Sequence, residues 1–141
     1  MTGAAPARRR VVAVATGLAL LAGGTPGLAV HTPGDLPLSI APEDVHRLRE
    51  AGETIVLIDL RPTDAFSRGH VAGARSVPLA ELRRRQGEIP RVGRVVLYAG
   101  TDPEAVTGYQ ALRDAGFRNV MVLAGGLQTW IGLGLPVETR P

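Results

Sequence analysis

Residues 55–74 read IVLIDLRPTDAFSRGHVAGA. The first six are apolar apart from Asp59, and three of them are β-branched. Such a run, of strand length, predicts a β-strand buried on both faces. It breaks at Arg61-Pro62. Thr63 to Arg68 then predicts a short helix, and Gly69 and Gly73 mark turns where positive φ is permitted. Asp59 and Arg61 stand two apart at the strand end, where a carboxylate and a guanidinium can pair and fix the loop.

The same alternation continues on both sides. Upstream, Ala41-Pro42 opens a helix, with proline at its first position, Glu43 and Asp44 in its first turn, Val45 and Leu48 facing inward, and Gly52 at its end. Downstream, a short strand is expected near Arg75 to Val77 and a helix over Ala80 to Gln86 carrying Arg83, Arg84 and Arg85. Arg94 to Tyr98 (RVVLY) is the next buried strand. Pro103 to Ala115 places Ala105, Val106, Tyr109 and Leu112 at helical spacing. Asn119 to Leu123 is the last expected strand and Leu127 to Leu133 the last helix. Strands alternating with helices predict an α/β fold with a central, mainly parallel sheet covered by helices on both faces.

The chain has 141 residues and a pI of about 10.5. That pI suggests nucleic acid, but all 16 basic residues are arginine and three of them are Arg8, Arg9 and Arg10. Beyond residue 29 the arginines equal the 13 acidic residues. A nucleic-acid footprint would persist in the body of the domain, so no nucleic-acid partner is expected. There is no cysteine. This excludes disulfides, thiolate metal sites, a thiol nucleophile and a lipoprotein anchor. His31, His46 and His70 show no metal-ligand spacing in sequence, and neither a metal nor a cofactor is expected.

The first 29 residues have the layout of a secretory signal: Arg8–Arg10, an apolar run from Val11 to Ala22, then glycine, proline and the small-x-small set Gly27-Leu28-Ala29. A membrane anchor over residues 11–30 is the rival reading, and would be the chain's only membrane contact. Gly23, Gly24, Pro26 and Gly27 interrupt its second half and favour cleavage. Either reading places the domain outside the cytoplasm, periplasmic or secreted. Residues 30–37 read as a linker, 38–138 as the domain and 139–141 as a tail.

The segment from Asp59 to Ala74 resembles the hallmark of the rhodanese-like domain family, D-x-R followed by [FY]-x-x-G-H-[IV]-x-G-A. Val77-Pro78-Leu79 resembles the family's next motif. Ile40 to Glu43 is similar to its opening, and Gly125-Gly126 with Trp130, then Gly134 to Val137, to its close. The resemblance implies the rhodanese fold, with Asp59, Arg61, Gly69, His70, Gly73, Gly125, Gly126 and Trp130 as structural residues and His70 a hydrogen-bonded loop residue.

The resemblance also implies a catalytic cysteine directly after the central strand, in a loop whose N–H groups stabilise a persulfide, and an arginine five residues later. Here those positions hold Ala99 and Glu104. The loop runs Ala99, Gly100, Thr101, Asp102, Pro103, Glu104, with Asp102 replacing a glycine and Pro103 removing a donor. These residues suit a helix start, with Asp102 as N-cap and Pro103 at the first helical position. The expectation is therefore a non-catalytic binding or regulatory module with an unknown protein partner. The alternatives are a sulfurtransferase-family enzyme, a hydrolase using Thr101 or Thr107, and a structural part of an envelope complex joined through residues 83–94.

Overall fold

A computed structural model describes residues 37–140. The leader and most of the linker lie outside the described residues, as does Pro141. The elements are β1 (Ser39–Ile40), α1 (Pro42–Glu50), β2 (Ile55–Asp59), α2 (Thr63–Arg68), β3 (His70–Val71), β4 (Arg75–Ser76), α3 (Leu82–Arg85), β5 (Arg94–Tyr98), α4 (Asp102–Asp114), β6 (Val120–Leu123), α5 (Gly126–Gly132) and β7 (Val137–Glu138).

Five strands form one parallel sheet in the order β1-β6-β5-β2-β4. β5 is central, and its Val95, Val96, Leu97 and Tyr98 have essentially no exposed surface. Burial of an aliphatic side chain of this size contributes about 1.5–3 kcal/mol, so β5 fixes the position of whatever follows it. Alternate residues of the strands feed two cores. Ile58, Val95, Leu97 and Val122 pack with Leu82 of α3 and Tyr109 and Leu112 of α4. Leu57, Val96, Tyr98 and Leu123 pack with Val45 of α1 and Leu127 and Trp130 of α5. Helices thus cover both faces, as the buried strand runs predict.

Four local expectations need correction. The helix expected over Ala80–Gln86 is a single α-turn, α3, between 3-10 turns at Leu79–Glu81 and Gln86–Glu88. Adjacent Gly87 and Pro90 leave no room for a longer helix. Asp102 is not the N-cap of α4. Thr101 holds that position with extended φ and ψ, Asp102 is the first helical residue, and no side chain caps the end. Gly69 is extended rather than left-handed, whereas Gly73 has φ +78°. His70 lies in a strand, because β3 pairs antiparallel with β7, His70 opposite Glu138 and Val71 opposite Val137.

Candidate functional site

β5 ends at Tyr98, and Ala99 to Thr101 carry the chain to α4. This is the carboxyl end of a parallel sheet, where open α/β folds place their sites. A cavity of about 270 Å³ opens there. The Ala99–Asp102 loop bounds one side, Gly125 to Gln128 the other, and Arg61 contributes from the end of β2. Ala99 is 4% exposed and belongs to the core. Gly126 enters α5 with φ +58°, and a Cβ there would lie 3.3 Å from the Ala99 carbonyl oxygen. Glycine therefore allows the two walls their close approach.

Arg61 is held rather than free. The Asp59 carboxylate, fully buried, accepts from the Arg61 backbone N–H at 2.9 Å, from Nε at 3.1 and 3.2 Å, and from Nη2 at 2.7 Å. Arg61 Nη2 also donates to the Gly69 carbonyl at 2.6 Å. Burial works against the guanidinium charge, but the hydrogen bonds and attraction of Asp59 outweigh it and hold its pKa above the ordinary value. Its Cζ lies over the Tyr98 ring, 5.9 Å from the ring centre. Burial first, and then the Asp59 charge, push the Tyr98 hydroxyl far above its usual range, so the phenol stays neutral. That hydroxyl accepts from the Val71 N–H at 3.1 Å.

The rim of the cavity is acidic. Asp102 and Glu104 are exposed, and among the described residues neither joins an ion pair. Glu104 turns back over the loop, its Oε2 3.5 Å from where a Cβ on Gly100 would sit. Pro103 supplies no N–H, and its carbonyl accepts from Thr107 Oγ1 at 2.9 Å. Thr107 is thereby engaged with its own helix.

The remaining motif residues sit away from this cavity. His70 is 4% exposed, stacks on Phe66 with ring centres 3.7 Å apart and places Nδ1 2.8 Å from the Phe66 carbonyl. Gly73 donates its N–H to Glu138. Trp130 fills the second core and donates Nε1–H to the Pro136 carbonyl at 2.8 Å. Sequence reasoning missed Gln128 on the cavity wall and Glu138 beside His70. The Gly125-Gly126 motif points to the neighbourhood of Gln128; nothing in the local pattern points to Glu138.

Comparison with known proteins agrees with the geometry. The family model of the rhodanese-like domain matches residues 41–133, and the chain belongs to that family. It is 37% identical over 105 residues to the HTH-type transcriptional regulator Rv0324 of Mycobacterium tuberculosis, covering 71% of this chain and 44% of the regulator. It is 28% identical over 85 residues to a protein named sulfurtransferase from Allochromatium vinosum, covering 60% of this chain and 79% of that one. The chain spans about half the length of the first curated relatives it matches. Among solved structures, the Alr3790 protein from Anabaena superposes with a TM-score of 0.68 at 27% identity, covering 72% of this chain and 80% of that chain. Thiosulfate sulfurtransferase from Pseudomonas aeruginosa superposes with a TM-score of 0.67 at 26% identity over 73% of this chain and 20% of that one.

Proposed function

We propose that this chain is a non-catalytic rhodanese-like domain that acts outside the cytoplasm as a binding or regulatory module for a protein partner. The observation that carries the reading is Ala99. It occupies the position directly after the central strand, where the family resemblance implies the sulfur-carrying cysteine, and the sequence contains no cysteine to replace it. Persulfide chemistry needs a thiolate, and an alanine methyl supplies no nucleophile. The surrounding charges support the same reading. Glu104 stands where a cation would hold an anionic donor, Asp102 adds a second negative charge, and Arg61 is committed to Asp59. Thr101 is a poor substitute, since an activated hydroxyl needs an adjacent base and the two described histidines lie elsewhere, His46 in α1 and His70 in β3.

The assay is thiosulfate-dependent thiocyanate formation by purified protein in the presence of cyanide. The expected rate equals that of buffer. Activity that co-purifies with the protein through successive columns overturns the reading. The relatives named sulfurtransferase make that enzyme class the second reading, and the same assay decides between the two. Export follows from the leader's layout and predicts a mature chain beginning near Val30.

A further inference from the structure

We propose that His70 and Glu138 form a proton-operated clasp that tightens the β3–β7 pair in mild acid. The two residues are directly opposed in the antiparallel pair. His70 Nε2 lies 3.6 Å from Glu138 Oε2, and the His70 side chain is only 5% exposed. The Phe66 carbonyl at 2.8 Å can only accept, so the hydrogen it receives must sit on Nδ1. In the neutral ring Nε2 is therefore an acceptor facing a carboxylate, and the pair has no hydrogen of its own to share. Both groups border a cavity of about 290 Å³, where water can serve them. A proton taken up by the ring has one place to go, Nε2, and it turns the same contact into an ion pair.

The clasp works in one pH window. An imidazole ordinarily changes charge between about pH 5 and 8, whereas a glutamate keeps its charge down to about pH 4.3. The attraction is present while both groups are charged. It fades as pH rises and His70 gives up its proton, and fades again in strong acid as Glu138 takes one. At 3.6 Å the two are too far apart for a charged hydrogen bond, which runs about 2.7–2.9 Å. The half-exposed Glu138 side chain can close that distance, and the Gly73 N–H, 3.2 Å from the same Oε2, keeps the carboxylate on the histidine's side. The other charges around the ring leave Glu138 as its counter-ion. On α2, Asp64 and Arg68 pair with each other. From α1, Arg49 donates to the Ala72 carbonyl. Next to His70 in the chain, Gly69 offers its carbonyl to Arg61, which is bound to Asp59. Tyr98, which accepts from the Val71 N–H, stays neutral. α5 packs on β3 and carries no titratable group. Arg140 lines the same cavity and competes for the carboxylate.

The clasp has leverage because few bonds hold β7. The β3–β7 sheet is two residue pairs, separate from the five-stranded sheet. Around it, the Pro136 carbonyl accepts from the Ala72 N–H at 3.1 Å and from Trp130 Nε1 at 2.8 Å, and the Arg140 N–H donates to the Ser67 carbonyl at 3.0 Å. An element tied by so few contacts opens locally without global unfolding. The ring side of the clasp is rigid by contrast: stacking on Phe66 and the bond to its carbonyl fix the imidazole. Protonation therefore draws the strap to the ring rather than the ring to the strap. β3 begins directly after Gly69, so the clasp bears on the segment that holds Arg61 at the candidate cavity.

The test is amide hydrogen exchange of the full chain, read by NMR at about pH 7.5 and about pH 5.5, toward either end of the imidazole range, and corrected for the intrinsic pH dependence of exchange. The Ala72 and Arg140 amides report the strap, since their acceptors lie across it. Their protection should rise about 1.5- to 5-fold on acidification, the scale of an ion pair open to solvent on one side. Glu138→Gln keeps size and an oxygen for the Gly73 N–H, so it should fold normally, and in it the rise should vanish. His46→Gln, in α1, should keep the rise. Protection that does not change with pH in the native chain overturns the clasp. A rise of equal size in Glu138→Gln also overturns it, because the pH response then belongs to another group. Neither result bears on sulfur transfer, so the clasp stands or falls apart from the reading of Ala99.

Discussion

Removing the Arg61 side chain and removing the Asp59 charge should have unequal costs. Arg61→Met deletes three of the four hydrogen bonds to the Asp59 carboxylate and the one to the Gly69 carbonyl, leaving only the Arg61 backbone N–H on a fully buried anion. Breaking a buried pair from one side typically costs about 3–5 kcal/mol, because the survivor is an uncompensated charge. Asp59→Asn leaves the opposite survivor. The Arg61 side chain is 15% exposed and lines a cavity, so water can reach it, and the new amide oxygen still accepts from its N–H groups. That loss should be nearer the value of a charged hydrogen bond, about 1.5–3 kcal/mol. The double variant removes the stranded charge and should cost less than the sum of the singles, with a coupling of at least about 1 kcal/mol. Urea unfolding followed by circular dichroism measures all three. Asp59→Asn proving as costly as Arg61→Met, or singles that add within about 0.5 kcal/mol, would refute the claim that Arg61 is a latch for a buried anion.

Ala99→Cys alone should yield negligible thiocyanate, and its thiol should titrate at or above the free value of about 8.5, because Asp102 and Glu104 oppose the thiolate. Ala99→Cys with Asp102→Gly and Glu104→Arg should transfer more sulfur and alkylate at lower pH; equal rates, or a single-variant thiol titrating below about 7.5, count against the electrostatic argument. Asp102→Ala should cost no more than about 0.3–1 kcal/mol, the scale of a charge at a helix N-terminus, and the loss should shrink in high salt. A salt-independent loss approaching about 2 kcal/mol in urea unfolding would mean that the side chain caps the helix after all.

The parts of the fold that are legible in the sequence are those written in local pattern. IVLID is apolar and largely β-branched up to its closing Asp59, which suits an internal strand, and RVVLY repeats the pattern after its opening Arg94. Thr63–Arg68 lies between a proline and a glycine that mark its ends. The strands β1, β3 and β7 are two residues long and stand in no apolar run that sets them apart from loop, whereas the equally short β4 falls within the expected strand near Arg75 to Val77. Their partners make them strands: Ser39–Ile40 lies against Val122–Leu123, and His70–Val71 against Val137–Glu138. Sequence places the cap of α4 one residue late because Thr101 and Asp102 are both competent caps, and only the extended backbone at Thr101 decides between them. In the candidate site, Ala99 is identified by motif order. The opposing wall at Gln128 and the meeting of His70 with Glu138 depend on distant segments converging, which a linear pattern does not encode.

The strand order has a consequence for how the chain acquires its shape during synthesis. β1, the first strand of the sheet to emerge, lies at one edge and pairs only with β6, whose Val122 comes near the far end of the domain. No hairpin is available to bury the early strands, since every neighbour in the sheet is parallel and separated by a crossover. Loop closure must precede the contacts that reward it, so such pairings form late and slowly. A ribosome-bound fragment ending before Val120 therefore exposes Leu57, Val96 and Tyr98 to any chaperone that holds apolar segments open. The topology gives a nascent chain of this kind a long window in which it remains threadable.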